Sequence, residues 1–426
     1  MSADSLLERR HRVLGRNSPL FYDRPLHLVR GEGVWVYDAD GKRYLDAYNN
    51  VPHVGHCHPR VVAALSRQAA TLNTHTRYLD ENVVAYAERL ASLFHPDLSM
   101  VMLCCTGSEA NDLALRIVRY CSGGLGIVCT ALAYHGSTAS VMKVGPLFTP
   151  ENGRGPYVRT VPLMDPYRDR AARSDEELAT AYADDVKRAI GEFAAVGIPF
   201  AGLIFCSAFS IEGLPTVPAG FMTKALAHVH AAGGYFIADE VQAGFGRFGS
   251  HMWGHQKLGV VPDVVTLGKP MGNGHPLAGV VARRDLVGAF TERNMYFNTF
   301  AGNPVSAAVG MAVLDVLEDE RLLENAGAVG GYAISRFQKL CDRHSLIGDV
   351  RGDGLFLAVE LVTDRKAKTP ATAETKRLIN LMRERGVLVS RIGIKDNILK
   401  IRPPMPFSRQ HADLLVDTFD EAMADL

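Results

Sequence analysis

Short apolar runs alternate with longer amphipathic stretches over most of the 426-residue chain. Short apolar runs bounded by turn residues are typical of buried strands, and amphipathic stretches between them are typical of crossover helices. We predict central strands at 99–105, 126–130, 202–207, 235–239, 264–267 and 278–282. We predict helices at 108–120, 175–193, 219–232 and 306–318. The pattern therefore indicates an α/β fold around a mostly parallel sheet.

The two ends of the chain have a different pattern. A hairpin-like segment lies at 33–46, and strands predicted near 355–361, 387–390 and 398–401 precede a closing helix that begins at Ser408. We expect both termini to build a smaller α+β domain, residues 1–51 and 306–426, beside a large domain of residues 52–305.

The segment 144–173 is rich in Pro, Gly and Arg, and we expect it to be a long loop.

Composition excludes several classes of partner. The 46 Lys and Arg residues balance 46 Asp and Glu residues, so the chain lacks the basic excess that is usual in nucleic-acid binders. No apolar run reaches the length of a membrane helix, and the N-terminal segment has no apolar signal-peptide core. Seven cysteines, several within apolar runs, indicate buried thiols in a reducing compartment. We expect a cytoplasmic protein with no nucleic-acid or membrane partner.

One predicted strand runs into a glycine and the start of a helix, a pattern that can bind phosphate. Residues 104–111 read Cys-Cys-Thr-Gly-Ser-Glu-Ala-Asn. The N–H groups of Gly107 and Ser108 at the helix start would form a phosphate-binding cup. The alternative is that Ser108 only caps the helix.

Two further strands end next to chemically useful side chains. The strand at 235–239 ends in Asp239, and a buried carboxylate needs a partner such as a protonated pyridine nitrogen. Lys269 follows the strand at 264–267 and lies between Gly and Pro. Most lysines are solvated, but one in this position is a candidate Schiff-base nucleophile. A polar turn at 298–304 opens a helix and offers a second possible phosphate contact.

The order of these motifs resembles the class III aminotransferase family of pyridoxal-phosphate enzymes. Thr-Gly-Ser-Glu-Ala-Asn is followed by Tyr-His-Gly at 134–136, by Asp-Glu-Val-Gln at 239–242 and by Gly-Lys at 268–269. The resemblance covers nearly the whole chain. It implies fold type I of the pyridoxal-phosphate enzymes, with a seven-stranded, mostly parallel sheet, and a homodimer with active sites at the subunit interface.

The resemblance also implies a role for each matching residue. Lys269 would form the Schiff base with pyridoxal 5'-phosphate, and Asp239 would pair with the pyridine nitrogen. Gln242 would contact the ring hydroxyl, and Tyr134 would stack on the ring. The cofactor phosphate would be bound by Gly107 and Ser108, together with Thr299 of the partner subunit.

Other segments are similar to the phospho-lyase branch of the family, whose enzymes eliminate phosphate instead of transferring an amino group. These segments are 49–59, 73–79 and 268–276. Ordinary class III transaminases usually have Glu-Pro where residues 206–207 read Cys-Ser, and an arginine for the substrate carboxylate where this chain has Lys400. A lysine is a point charge that suits phosphate, whereas an arginine fork suits a planar carboxylate.

We therefore predict that Arg77 and Lys400, with Asn50 as a third candidate, bind the phosphate of a small phosphorylated amine. The predicted reaction converts O-phosphoethanolamine to acetaldehyde, ammonia and phosphate. Phosphohydroxylysine and other substituted amines would require the same site residues, so they remain alternative substrates. An aminotransferase that acts on an amine or ω-amino acid would use the same cofactor residues and is an alternative. A catalytically silent cofactor-binding protein is a third interpretation, and the presence of both Lys269 and Asp239 argues against it.

Two other patterns resemble binding motifs, one for a dinucleotide and one for a metal, and neither site is predicted. The Gly-x-Gly-x-x-Gly sequence at 244–249 is not followed by the helical pattern of a dinucleotide site. The histidines and cysteine at 53–58 fit no standard ligand spacing, so no metal is predicted.

Overall fold

The protein is described by a computed structural model that covers residues 3–149, 153–170 and 173–426. In these ranges the strands are β1 (Leu28–Glu32), β2 (Trp35–Asp38), β3 (Arg43–Asp46), β4 (Met100–Cys104), β5 (Gly126–Thr130), β6 (Val158–Val161), β7 (Phe200–Cys206), β8 (Tyr235–Asp239), β9 (Val264–Leu267), β10 (Ala278–Ala282), β11 (Ile347–Asp353), β12 (Phe356–Asp364), β13 (Thr369–Pro370), β14 (Val387–Leu388), β15 (Ser390–Ile392) and β16 (Ile398–Ile401). The α-helices are α1 (Ala3–Leu14), α2 (Pro59–Ala69), α3 (Glu81–Ser92), α4 (Gly107–Ser122), α5 (Ala139–Lys143), α6 (Pro166–Asp169), α7 (Asp175–Ala195), α8 (Phe221–Ala231), α9 (Gly254–Lys257), α10 (Arg284–Arg293), α11 (Pro304–Asp319), α12 (Leu322–Leu340), α13 (Thr372–Glu384) and α14 (Arg409–Ala424).

A seven-stranded sheet in the order β4-β10-β9-β8-β7-β5-β6 forms the centre of the molecule. Strands β6, β5, β7, β8 and β9 pair in parallel, and β10 is antiparallel to both of its neighbours. All six predicted central strands are present, and β5, β8, β9 and β10 have the predicted bounds. The prediction worked because these strands are buried on both faces and read as uninterrupted apolar runs.

The prediction of a long loop over 144–173 is wrong, because this segment contains β6 and α6. β6 lies at the edge of the central sheet and pairs only with β5 among the described strands. Only its two terminal valines are buried, and Arg159 between them lies over the Phe193 ring. Because the strand has only four residues and the two in the middle are polar, its sequence contains no apolar run that would predict a strand. Residues 150–152 and 171–172 lie outside the described ranges.

Helices cover both faces of the central sheet. On one face, α7 and α8 bury apolar residues such as Leu178, Phe193 and Val229 in the main core. On the other face, α4 and α10 contribute residues such as Ile117 and Phe290 to a second apolar cluster. Burial of this apolar surface on both faces is the main force that stabilises the fold.

Two smaller sheets contain strands from the ends of the chain. In the first sheet, β14 pairs in parallel with β3, so residues near both termini share one sheet. In the second, β12 and β16 pair at the centre, with β11, β13 and β15 around them. The single strand predicted at 387–390 is two strands in different sheets, because the chain crosses between sheets at Val389. The predicted fold class is confirmed, whereas the domain boundaries remain a prediction.

Arg247 connects the central part of the chain to turns beside the second smaller sheet and to the segment that follows β3. It is completely buried, and it donates hydrogen bonds to the carbonyls of Leu355 (2.9 Å) and Pro403 (2.7 Å). It also donates to Nδ1 of His53 at 3.1 Å, which leaves His53 Nε2–H to donate to the carbonyl of Phe245 at 2.7 Å. Burial and the charge of Arg247 hold the pKa of His53 well below its usual range, so this histidine is neutral.

The histidine-rich segment at 53–58 is engaged by contacts within the chain. His56 Nε2 lies 2.7 Å from a carboxylate oxygen of Asp46, and His58 Nε2 lies 3.0 Å from Glu320. Within the described ranges no cluster of side chains has the arrangement of a metal site.

Over the same residues, no helix has the length and apolar character needed to cross a membrane.

Arg247→Leu should destabilise the protein strongly, because two buried carbonyls and His53 Nδ1 lose their donor. We expect a loss of about 3 kcal/mol or more in the free energy of unfolding. Thermal unfolding followed by circular dichroism measures this as a lower melting temperature. The control is Arg321→Leu, since Arg321 is 77% exposed and its loss should change stability by less than about 0.5 kcal/mol. Equal melting temperatures for the two variants would contradict the role given to Arg247.

Candidate active site

The candidate site lies at the carboxyl ends of three neighbouring parallel strands. Asp239 ends β8, where it is in register with Cys206 of β7 and Thr266 of β9. Lys269 follows the end of β9 and begins a 3-10 turn, Lys269–Gly272. Ligands of open α/β sheets bind at this edge because the connecting loops and helix starts converge there. The register therefore places the predicted carboxylate and the predicted lysine in one cleft.

Three donors fix the buried carboxylate of Asp239. His135 Nδ1 lies 2.7 Å from Oδ2, and Asn111 Nδ2 donates to the same oxygen at 3.1 Å. The backbone N–H of Val241 donates to Oδ1 at 3.0 Å. Thr266 in turn donates to the Asn111 amide oxygen at 2.7 Å. The carboxylate is thus held in one orientation at the base of the cleft.

The start of α4 is built as an anion-binding end. Thr106 is the N-cap, and its hydroxyl accepts from the N–H of Glu109 at 3.2 Å. The Glu109 side chain accepts from the N–H groups of Cys105 (2.7 Å) and Thr106 (3.0 Å). Ser108 is therefore not the cap, and its hydroxyl accepts from the N–H of Ser137 at 3.0 Å.

The start of α4 packs closely against Gly136 and Val241, and room for a ligand remains only because glycines lie at these contacts. Gly136 has φ of +137°, and a Cβ there would lie 2.5 Å from the Ser108 hydroxyl oxygen. A Cβ on Gly107 would lie 3.0 Å from Val241. Within the described structure, the N–H groups of Gly107 and Ser108 have no backbone or side-chain acceptor. They remain available to an anion, and the predicted phosphate contact of these two residues stays a prediction.

The cleft between these elements has a volume of about 100 Å³. Tyr134 forms part of its wall, with its ring edge-on to Phe148 at a centroid distance of 5.3 Å. The residues that line the cleft are Gly107, Ser108, Tyr134, His135, Gly136, Cys206, Asp239, Val241, Gln242 and Lys269. Six of the predicted site residues are therefore brought together in one chain.

Lys269 has the properties of a nucleophilic amine. Burial lowers the pKa of Lys269, and the positive charge of Arg402 lowers it further, while Asp239 opposes the change. A lysine with a lowered pKa is deprotonated at a lower pH than a solvated one, and only the neutral amine attacks a carbonyl.

Gln242 joins the cleft to a pair of buried cations. Its amide oxygen accepts from Lys400 Nζ at 3.1 Å and also from the guanidinium of Arg402. The two cations are only 2% and 5% exposed. Burial and the neighbouring Arg402 hold the pKa of Lys400 well below its usual range. The predicted contact of Gln242 with a ring hydroxyl remains a prediction.

Sequence reasoning missed Arg402. It follows β16 and lies two residues beyond Lys400. Because side chains alternate along an extended chain, residues two apart point to the same side, and this spacing could have identified Arg402. Its Nε donates to the carbonyl of Tyr48 at 3.1 Å. Across the described residues, no carboxylate forms a hydrogen bond with Lys400 or Arg402.

Asn50 is 1% exposed, and both polar atoms of its side chain have no hydrogen-bond partner in the described ranges. It lies in the segment after β3, close in sequence to the Tyr48 carbonyl that accepts from Arg402. A buried amide with neither donor nor acceptor satisfied is rare and indicates a ligand or water partner.

Arg77 and Thr299 lie outside the cleft of their own chain. The Arg77 guanidinium packs over the ring of Phe297 at 4.0 Å, and Thr299 lies two residues beyond that ring. Both residues are exposed. The structure of one chain therefore brings them together on a surface and does not bring them to Lys269.

A larger cleft of about 630 Å³ lies between 163–170 and the second small sheet. Its principal charged groups pair with one another, since Arg168 contacts Glu360 at 2.6 Å and Arg351 contacts the same carboxylate at 2.9 Å. The smaller cleft differs because, among the described residues, no carboxylate is bound to Lys269, Lys400 or Arg402.

The donor set of the smaller cleft fits pyridoxal 5'-phosphate. The fixed carboxylate of Asp239 suits a protonated ring nitrogen, and the amine of Lys269 suits the aldehyde. Free N–H groups at Gly107 and Ser108 suit the phosphate, and Tyr134 supplies an aromatic wall.

Comparison with known proteins agrees with this chemistry. The family model of class III aminotransferases matches residues 21–423. An alanine–glyoxylate aminotransferase 2-like protein of Drosophila melanogaster is 40% identical over 99% of this chain and 87% of its own length. Ethanolamine-phosphate phospho-lyase homolog 1 of Caenorhabditis elegans is 34% identical over 99% of this chain and 94% of its own length.

A solved structure shows the same fold. A phospholyase from Arthrobacter, in complex with phosphoethanolamine, superposes with a TM-score of 0.96 and is 46% identical. The match covers 99% of this chain and 100% of that chain. Family members with lyase and with aminotransferase names both depend on pyridoxal phosphate. This protein belongs to the class III aminotransferase family and is a pyridoxal-phosphate-dependent enzyme.

Proposed function

We propose that the enzyme is a phospho-lyase that eliminates phosphate from a small phosphorylated amine, with O-phosphoethanolamine as the first candidate. The observation that carries this proposal is Lys400, a buried amine whose only hydrogen-bond partner among the described residues is the neutral carbonyl of Gln242 and whose pKa is held well below its usual range. Because an anion beside this amine would stabilise its protonated form, a buried lysine without a carboxylate partner favours an anionic ligand. The similarity to the phospholyase with bound phosphoethanolamine supports the same substrate class.

Lys269 is the proton-transfer group in this proposal. When bound, pyridoxal phosphate supplies an electron sink for the substrate carbon that carries the nitrogen. The neutral Lys269 amine accepts the proton from that carbon, and its lowered pKa keeps the neutral form available.

Asp239 provides a fixed negative charge at the other end of the cleft. Its orientation depends on His135 and Asn111, which both contact Oδ2. A carboxylate held in this way stabilises a positive charge on the ring nitrogen without having to reorganise.

Lys400 acts on the leaving group. Negative charge develops on the bridging oxygen as the carbon–oxygen bond breaks, and a cation placed there stabilises the transition state more than the ground state. Asn50 and Arg77 are the further phosphate ligands of the proposal. The overall reaction takes up one water and yields acetaldehyde, ammonia and hydrogen phosphate.

The proposal includes a homodimer. An apolar face, formed by residues 72–84 and 295–300, is exposed on the single chain. Leu79 is fully exposed, Met295 is 84% exposed and Phe300 is 73% exposed. Exposed apolar patches of this kind mark protein interfaces. We propose that a second copy of the chain covers the face, and that Arg77 and Thr299, which lie on it, serve the partner's cleft.

We also propose a cytoplasmic location. All seven cysteines are free. Burial raises the pKa of Cys206 in the cleft to about 12, so its thiol is protonated and unreactive. Three of the seven, Cys104, Cys129 and Cys206, are buried, and unpaired thiols fit a reducing compartment.

The first prediction is that the holoenzyme releases phosphate from O-phosphoethanolamine without any keto acid. Phosphate is measured colorimetrically, and acetaldehyde is measured with alcohol dehydrogenase and NADH. Lys269→Ala should abolish release, because no amine remains to accept the proton. Conversion of the cofactor absorbance without phosphate release would show an aminotransferase, and the absence of both changes would show a silent protein.

A second prediction concerns the pH at which Lys269 reacts. Arg402→Gln removes a positive charge near the amine, so the pKa of Lys269 should rise. Covalent attachment of added cofactor to the cofactor-free protein should then reach half its maximal rate at a higher pH than in the wild type. Attachment is followed by absorbance. Arg343→Gln, at an exposed arginine that pairs with Asp420, should leave the profile unchanged. An unshifted profile for Arg402→Gln would contradict the prediction.

The dimer is tested by Leu79→Asp, which places a charge in the proposed apolar interface. We expect the wild type to elute as a dimer and the variant as a monomer in size-exclusion chromatography with light scattering. Phosphate release should decrease when the dimer dissociates, because each cleft then loses Thr299 and Arg77 of the partner subunit. Val196→Asp, at a residue that is 55% exposed and outside the apolar face, is the control. A monomeric wild type with full activity would overturn the proposal.

A further inference from the structure

Arg402 is a buried cation to which the proposed chemistry gives no ligand. Its guanidinium donates to two neutral oxygens, the carbonyl of Tyr48 and the amide oxygen of Gln242. Its backbone N–H donates to the carbonyl of Ala47 at 2.7 Å, which fixes the main chain at this point. Arg402 therefore has a fixed position but no anionic partner in the described ranges.

The surrounding carboxylates are already engaged. Asp46 accepts from the N–H groups of Tyr48 and Asn49, and its other oxygen lies 2.7 Å from His56. Glu212, whose charge also acts on Lys400, accepts from the hydroxyl of Thr130 at 2.5 Å. Neither forms a hydrogen bond with the two cations. Lys400 and Arg402 share one hydrogen-bond acceptor, the neutral amide oxygen of Gln242.

This arrangement is unfavourable unless an anion completes it. Burial and the positive charge of Arg402 both disfavour the protonated form of Lys400, because little water remains to screen the two groups. An amide oxygen carries only a partial negative charge. A phosphate dianion carries enough charge to neutralise both groups and enough oxygens to accept from both at once.

We propose that Arg402 is a ligand of the substrate phosphate, and that this phosphate replaces the Gln242 amide oxygen between Arg402 and Lys400. The inference rests on the proposed phospho-lyase function and names a phosphate ligand that the sequence did not identify. It also assigns Gln242 two positions, one that bridges the cations before the anion arrives and one that is released into the cleft.

The buried amide of Asn50 supports a polar ligand in this region. Both of its polar atoms lack a protein partner in the described structure, and its segment also supplies the Tyr48 carbonyl that holds Arg402. An amide N–H of Asn50 could donate to a third phosphate oxygen. A phosphate dianion can compensate Arg402 and a protonated Lys400 together, whereas a carboxylate carries charge for only one of them.

The proposal is tested by binding of inorganic phosphate, measured by isothermal titration calorimetry. The protein is the holoenzyme after borohydride reduction of the link between cofactor and Lys269, so that no reaction follows binding. Arg402→Gln should weaken phosphate binding by roughly 10- to 100-fold, the usual effect of losing a hydrogen bond to a charged group. Arg402→Lys should recover part of the affinity because it restores the charge. Arg343→Gln is the matched surface control and should bind as the wild type does.

Binding to Arg402→Gln with wild-type affinity would overturn the proposal. Retained cofactor absorbance and circular dichroism establish that the variant is folded. If it does not fold, Gln242→Glu gives the second test, because its carboxylate should keep both cations paired and prevent phosphate from binding. Unchanged phosphate affinity in Gln242→Glu would equally overturn the proposal.

The test separates this inference from the proposed function. If the wild type releases phosphate from O-phosphoethanolamine while Arg402→Gln binds phosphate normally, the function stands and the role of Arg402 fails. If phosphate binding depends on Arg402 while the wild type releases no phosphate from the amine, the anion site stands and the phospho-lyase function fails.

Discussion

Asp239 is held by donors from separate parts of the chain, and the geometry of the cleft depends on that carboxylate. Asn111 comes from α4, His135 from the loop after β5, and Val241 from the turn after β8 itself. Each donor is in place only if its strand has the correct register in the central sheet. A slip of one residue would turn Asp239 and Thr266 to the other face of the sheet and leave their buried hydrogen-bond partners unsatisfied, so these polar contacts help to fix the register.

Charge is distributed unevenly between the surface and the interior. The chain as a whole is neutral, yet Lys400, Arg402 and Arg247 are all buried without a carboxylate bound to them in the described ranges. Local peptide carbonyls and the Gln242 amide hold these cations in position. Specificity for an anion therefore comes from a few buried groups, and a net positive charge is not needed.

The sequence was most informative where one physical signal was strong. Strands β8 and β9 were predicted with their bounds because they are apolar on both faces, and Asp239 and Lys269 follow directly from where they end. β6 was missed because this short edge strand buries only its two terminal valines. Arg402 was missed because its burial depends on contacts with Tyr48 and Gln242, which are distant in sequence. The face that carries Arg77 and Thr299 becomes interpretable only with a second chain, which one sequence does not describe.

The parallel pairing of β3 with β14 affects how the protein is made. About 340 residues separate the two strands, so β3 is synthesised long before its partner exists. At roughly 5–20 residues per second, the ribosome needs on the order of 20 to 70 s to complete the intervening chain. During that interval the edge of β3 and the apolar residues beneath it are open to other chains. The same delay applies to Lys400 and Arg402, so the cationic part of the cleft is among the last to form, and a nascent or truncated chain would lack it.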